Sequence, residues 1–151
     1  MYRKILVPLD GSTTSQRALT EAAQLAQLCG ASLVLLHIVD DAAHVNGFER
    51  PAAYVQEIRP RCLAAGQALL DSAKAGLVAT PVAVETVLVE CCGDRVSERI
   101  VEHAVTSGAD LIVLGTHGRR GVDRLLIGSD AEQVARLASV PVLLVRALQR
   151  V

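Results

Sequence analysis

Glycines at positions 115, 118, 121 and 128 punctuate the stretch GTHGRRGVDRLLIGSD, which also holds Arg119, Arg120, Arg124 and Ser129 and ends on Asp130. Glycine lets a backbone approach a ligand closely and adopt positive φ. A helix opening at Gly128-Ser129 would turn unpaired N–H groups and a partial positive charge toward an anion. Ser129 would add a hydroxyl and the arginines would add charge. The chemistry these types could do together is phosphate binding. The spacing is not that of a P-loop, because no GxxxxGK[ST] is present. It is not the dinucleotide fingerprint either, whose glycine-rich turn follows the first strand. There this chain has Asp10-Gly11-Ser12. On residue types alone the stretch reads equally as a phosphate cradle or as a surface loop ahead of a helix capped by Ser129. His117 lies inside it with no Ser or Cys nucleophile motif beside it. It reads as a loop-shaping or phosphate-bonding residue rather than an acid–base catalyst.

The elements that would position these residues alternate along the chain. Residues 4–10, KILVPLD, form a short apolar run ending at Asp10. Ser12 then offers an N-cap, apolar residues recur at 18, 19, 22, 25 and 26, and Gly30 offers a stop, so a helix is expected. Residues 31–40 read as a second strand and 40–52 as a polar connection. A long helix over 52–76 must be kinked or truly begun at Pro60. Residues 82–90 form a third strand. A helix with Asp94 at its start and Gly108 at its end follows, then a fourth strand over 109–115. Residues 129–139 give a short helix and 140–147 a fifth strand. Strands alternating with helices predict an α/β fold with a parallel sheet and right-handed crossovers. Ligands of such sheets sit beyond the carboxyl ends of the strands, where the strand order reverses. That selects Asp10, residues 38–40 and the glycine stretch. His37, within the second strand, reads as a hydrogen-bonded core histidine, and His44 and His103 carry no partner pattern.

Composition narrows the function classes. The chain has 151 residues, 51 % hydrophobic and only 2 % aromatic. That predicts one domain over 1–151 with an aliphatic core of the kind parallel sheets use. A formal net charge of -1 gives no electrostatic case for nucleic acid. No apolar run reaches the ~18–20 residues of a membrane span, and no leader pattern opens the chain, so a cytoplasmic protein is expected. Cys29, Cys62, Cys91 and Cys92 show no metal-ligand spacing. Cys29 and Cys62 read as packing residues, and the adjacent pair as two thiols at a strand end.

With these residues in place the chain resembles the universal stress protein family. GTHGRRGVDRLLIGS fits that family's nucleotide motif, G-x2-G-x9-G-[ST]. KILVPLDGSTTSQRAL looks like its opening strand and helix, and VPVLLVR like its closing strand. The resemblance covers essentially the whole chain. It implies a Rossmann-like three-layer αβα sandwich with a five-stranded parallel sheet in the order 3-2-1-4-5, a homodimer, and ATP, or ADP or AMP, in the crevice between strands one and four. By the same resemblance Pro8 and Asp10 would border the adenosine and Ile38 would meet the adenine. Gly115 would lie under the ribose, Gly118 and Arg119 would contact phosphate, and Gly128 and Ser129 would hold the terminal phosphates. Asp10 also reads as a turn residue bonding local amides.

Asp130 departs from the small or apolar residue the family places after Gly-Ser. Without ligand, a carboxylate in a first helical turn is favourable by about 0.3–1 kcal/mol. Beside a triphosphate it is a like charge, worth roughly 1 kcal/mol of repulsion at ~4 Å in water-like surroundings and ~4 kcal/mol at a partly buried site. Either the side chain faces solvent or it ligates a Mg2+ held by the phosphates; AMP and ADP bring less charge. No general base can be named, so any hydrolysis would be slow and incidental. No catalytic residue and no metal ligand set of the protein's own is assigned. Two readings follow. One is a nucleotide-dependent regulatory protein of the stress response, with a regulatory protein partner of unknown identity. The other is a dimeric interaction module that does not bind ATP because of Asp130. An apolar last strand at a sheet edge favours a two-fold partner strand, through about Val140–Arg146.

Overall fold

The computed structural model describes residues 1–40, 51–117 and 126–147. Strand β1 (Lys4–Pro8) is followed by α1 (Thr13–Cys29) and β2 (Ser32–Asp40). A short turn of helix, α2 (Pro51–Ala53), and a π-helical segment (Tyr54–Ile58) lead into α3 (Arg59–Ala75). Then come β3 (Val84–Cys91), α4 (Val96–Ser107), β4 (Leu111–Gly115), α5 (Ser129–Leu137) and β5 (Val142–Val145). All strand pairs are parallel and the order is β3-β2-β1-β4-β5. The expected α/β Rossmann-like fold and the 3-2-1-4-5 order are both present.

The aliphatic composition explains the layering. In the central strand Ile5, Leu6 and Val7 are all fully buried, because helices cover both faces. Ile5, Val7, Leu33 and Leu35 pack under α1 and α3 with Leu19 and Leu70. Leu6, Val34, Leu36 and Ile112 pack under α4 and α5 with Ile100 and Val134. Side chains on one strand therefore alternate between two cores, and that alternation decides which residues at the strand ends share a face.

The helix ends divide into those local chemistry sets and those it does not. Ser12 has an extended backbone, and its hydroxyl accepts from the Ser15 N–H at 3.1 Å. Gly30 and Gly108 close α1 and α4 in the left-handed conformation, at φ 67° and 69°, where glycine is favoured. Asp94 lies just before α4, which starts from Arg95 without a side-chain cap bond, and its carboxylate meets Arg99 at 2.6 Å. One other expectation is corrected: Ser129 does not cap α5 but is its first residue, and Gly128 holds the cap position. The cause is a tertiary bond: the Gly128 N–H donates to the Thr116 carbonyl at 2.7 Å, which fixes the chain one residue earlier.

Pro60 stands in the first turn of α3, so it marks the start of that helix, behind the π-helical segment 54–58. The Arg59 N–H donates five residues back to Tyr54, just before the proline. Proline cannot donate, and its ring crowds the carbonyl four residues earlier. A widened turn at that point absorbs the conflict. His37 behaves as a core histidine: Nδ1 bonds the Leu9 carbonyl at 2.6 Å. The ring fits because residue 66 is glycine; a Cβ there would lie 2.7 Å from His37 Cδ2. All four cysteines are free. Burial, and then the charge of Asp40, pushes the Cys91 thiol up, so it stays protonated and donates to the Asp94 carbonyl.

Asp110 ties the amino ends of β1 and β4. Its carboxylate accepts from the backbone N–H of Arg3, at 2.9 Å, and of Lys4, at 3.0 Å. Burial pushes its pKa up, but the two backbone bonds and the Arg3 charge outweigh that, leaving the carboxyl below its ordinary value. Asp110→Ala is expected to cost about 1 kcal/mol at neutral pH. The stabilisation is present above the ordinary carboxylate range and is lost as pH falls through the depressed native value. Urea melts of both proteins should therefore differ at pH 7 and converge as pH falls through the depressed native value.

Candidate functional site

The carboxyl ends of β1 and β2 and the start of α5 meet on the α4–α5 side of the sheet. On β1 the inward phase of Leu6 carries on to Pro8 and Asp10. On β2 the phase of Val34 and Leu36 carries on to Ile38, which packs partly against that core, and to Asp40. The ladder extends past β1, where the Leu9 N–H donates to the Leu36 carbonyl at 2.8 Å. This keeps Asp10 beside the end of β2. Asp10 Oδ1 accepts from the Ser12 N–H at 2.9 Å, so the turn role read from sequence is real. That bond feeds the chain into the Ser12 cap and uses one carboxylate oxygen.

The exit from β4 is built by close contacts. Gly115 lies against the start of α1, and a Cβ on it would stand 2.8 Å from the backbone carbon of Thr14. Thr14 in turn donates its hydroxyl to the His117 carbonyl. The space expected for a ribose beneath Gly115 is thus, on the Cβ side, filled by Thr14. Gly128 sits equally close to the same exit, where a Cβ would be 3.0 Å from the Thr116 carbonyl oxygen. Its own N–H is committed there. The first-turn N–H groups of α5 that stay open to an anion belong to Ser129, Asp130 and Ala131, since Glu132 already donates to the Gly128 carbonyl. Gly118 and Arg119, with Arg120 and Arg124, lie outside the described residues.

Asp130 stands at the mouth. Its side chain is exposed, yet it sits in the angle between α5 and the strand ends. Burial raises its carboxyl above the ordinary value, and the charges of Asp40 and Asp10 raise it further. Asp130 therefore feels the carboxylates at the ends of β1 and β2 across the crevice. They do not converge on a point: among the described residues no group of three His, Cys, Asp or Glu is placed to hold a metal ion. Sequence reasoning selected Asp10, residues 38–40 and Asp130 but assigned Asp40 no part of its own within that group. Its signal was its position as the last residue of β2, in phase with Ile38.

The open first turn, a backbone-fixed carboxylate and an aliphatic wall at Ile38 fit a nucleoside carrying phosphate. The carboxylate can accept from nucleoside donors, the aliphatic side chain can meet the base, and the helix start can take the anion. A cavity of about 580 Å³ lies elsewhere, on the opposite face between α1 and α3, lined by Leu19, Gln24, Leu69 and Ser72 among others. It holds none of Pro8, Asp10, Ile38, Ser129 or Asp130. Among the described residues no helix is long and apolar enough to cross a membrane.

Similarity to known proteins agrees with this arrangement. The sequence model of the universal stress protein family matches residues 1–146. Universal stress protein YxiE of Bacillus subtilis is 34 % identical, over 97 % of this chain and all of its own length. Among solved structures, MJ0577 of Methanocaldococcus jannaschii superposes with a TM-score of 0.85 at 27 % identity, covering 99 % of both chains. A universal stress protein solved in complex with cAMP superposes with a TM-score of 0.70 at 25 % identity, covering 97 % of this chain and 99 % of its own. The chain belongs to the universal stress protein family.

Proposed function

We propose that this chain is an adenine-nucleotide-binding regulatory protein of the stress response, acting in the cytoplasm as a homodimer. The observation that carries the reading is the meeting of Asp10, Ile38 and the open first turn of α5 on one side of the sheet. Pro8 and Ile38 form the wall for the adenosine, and Asp10 accepts from its hydroxyl or amino donors. Ser129 and the N–H groups behind it take phosphate. Gly118 and Arg119 complete the cradle in the family pattern. The related protein solved with cAMP supports an adenine nucleotide as the ligand class. Nucleotide binding regulates an unidentified protein partner. The experiment is calorimetric titration with AMP, ADP and ATP, with CMP as the control. Binding of the adenine series and weak or absent binding of CMP is expected. Failure of all four to bind would leave the second reading, a dimeric interaction module without nucleotide, which Asp130 favours.

Strand β5 is the edge next to β4. Leu143 in its middle is 42 % exposed, an apolar edge of the kind that a second copy covers. Leu143→Lys is expected to shift sedimentation from dimer to monomer while the circular dichroism spectrum is unchanged. A variant that sediments as the wild type does would contradict pairing through β5.

A further inference from the structure

A second hollow lies on the other face of the sheet: the cavity of about 580 Å³ between α1 and α3. Gln16, Leu19, Ala23 and Gln27 line it from α1, and Leu69, Ser72, Ala73 and Gly76 from α3 and its end. Spacings of three and four residues put each set on one helix face. The space exists because the sheet sets the helices apart while their facing side chains are small. α1 packs over β1 and β4, where Gly115 lies against Thr14. α3 packs over β2 and β3, where Gly66 lies against His37 and Leu88. The helices are thus two strand intervals apart, roughly 10 Å at ~4.8 Å per interval. That is the wide end of ordinary helix packing, which bulky side chains fill. Here Ala23, Ser72, Ala73 and Gly76 face the gap instead. A Cβ built on Gly76 would meet only the Ala73 and Ser72 carbonyl oxygens, at 3.5 and 3.7 Å, and no atom of α1 within 4 Å.

The lining decides what fits. Leu9, Leu19, Ala23, Ala73 and Leu77 are buried and form an aliphatic floor. Gln16, Gln24 and Gln27 stand exposed along the α1 rim, with Ser72 on the α3 rim. Each carboxamide offers two donors and an acceptor. Among the described residues the lining holds no Asp, Glu, Lys, Arg or His. An ion entering would therefore give up hydration with no opposite charge to replace it. The volume lies within the roughly 300–1,000 Å³ of small-molecule sites. We propose that the α1–α3 cleft is a second ligand site, for a neutral small molecule with an apolar body and a carboxamide-like group at its edge. The body rests on the leucines and the polar edge pairs with the glutamine carboxamides. The site does not depend on nucleotide binding at the opposite face.

The test titrates isotopically labelled protein with benzamide, benzoate and benzylammonium near neutral pH, three probes of similar shape and different charge, and follows the backbone amide shifts. Benzamide is expected to saturate at about millimolar concentration, as a ligand of its size allows. Its shifts should fall on Leu19, Ala23, Gln24, Ala73 and Gly76, and it should bind at least about tenfold more tightly than either ion. Gly76→Leu fills the hollow from a right-handed helical backbone open to any residue, and should abolish binding while the amide shifts of β1 and β4 stay in place. Gln24→Leu removes one carboxamide and should weaken benzamide about fivefold, the worth of one hydrogen bond. Gln24 is exposed, so this variant decides the matter even if Gly76→Leu does not fold. Benzoate or benzylammonium binding as tightly as benzamide would overturn the neutral class. Shifts that fall outside the cleft, never saturate, or persist unchanged in both variants would overturn the site. Shifts in the cleft that follow protein concentration without any probe would give it to a second copy of the chain and overturn the proposal as well.

Discussion

Gly115→Val is expected to destabilise the protein by about 3 kcal/mol, the upper range for forcing atoms into a close-packed site. A Cβ at this position would lie 2.8 Å from both the backbone carbon and the Cβ of Thr14. No side-chain rotation relieves a contact with backbone. The start of α1 would have to move, and it carries the Ser12 cap, the Asp10 turn and the Thr14 bond to His117. Truncating Thr14 to alanine would not rescue the variant, because the offending carbon belongs to the main chain. The urea midpoint of Gly115→Val should fall well below that of wild type, and nucleotide affinity should fall with it. A variant as stable as wild type would mean that the β4 exit and α1 are not packed as described.

The second large effect falls on α3. This helix buries only Gly66, Leu70 and Ala73, and Leu70, fully buried, is the one large side chain among them. Leu70→Ala is expected to cost about 2–5 kcal/mol, from lost apolar transfer plus the cavity left behind. The cost should lie high in that range, because β2 and β3 beneath the helix are ladder-bonded and collapse poorly into the space. Hydrogen exchange should show lost protection spread along α3, with β1 and β4 changing least. A small change confined to position 70 would contradict the role of Leu70 as the anchor of this helix.

Much of this architecture was legible in the sequence, for reasons that differ from residue to residue. Ser12, Gly30 and Gly108 act through bonds to neighbours within a few positions, so their types and spacing predict their roles. His37 was legible as a core residue from its place in an apolar strand, though its partner, the Leu9 carbonyl, was not. The order of the strands came from the family resemblance, since five alternating units are compatible with several orders. Ser129 was misplaced as a cap because its fate depends on a residue that the fold places beside it, Thr116. The need for glycine at 115 also lies in tertiary contact, a helix start one hundred residues away in sequence. Asp40 was selected only as part of 38–40, without a role of its own, for the same reason. A carboxylate at a strand end gains meaning only when the sheet order sets it beside Asp10 and α5.

The most direct measurement of the central claim is where AMP binds. Amide chemical shifts of isotopically labelled protein, followed during titration with AMP, report each backbone position separately. The structure predicts that the largest shifts fall on Asp10, Ile38, Ser129, Asp130 and Ala131, which ring the crevice on the α4–α5 side. Shifts concentrated instead on Gln24, Leu69 and Ser72, around the cavity between α1 and α3, would place the ligand on the opposite face and contradict the account.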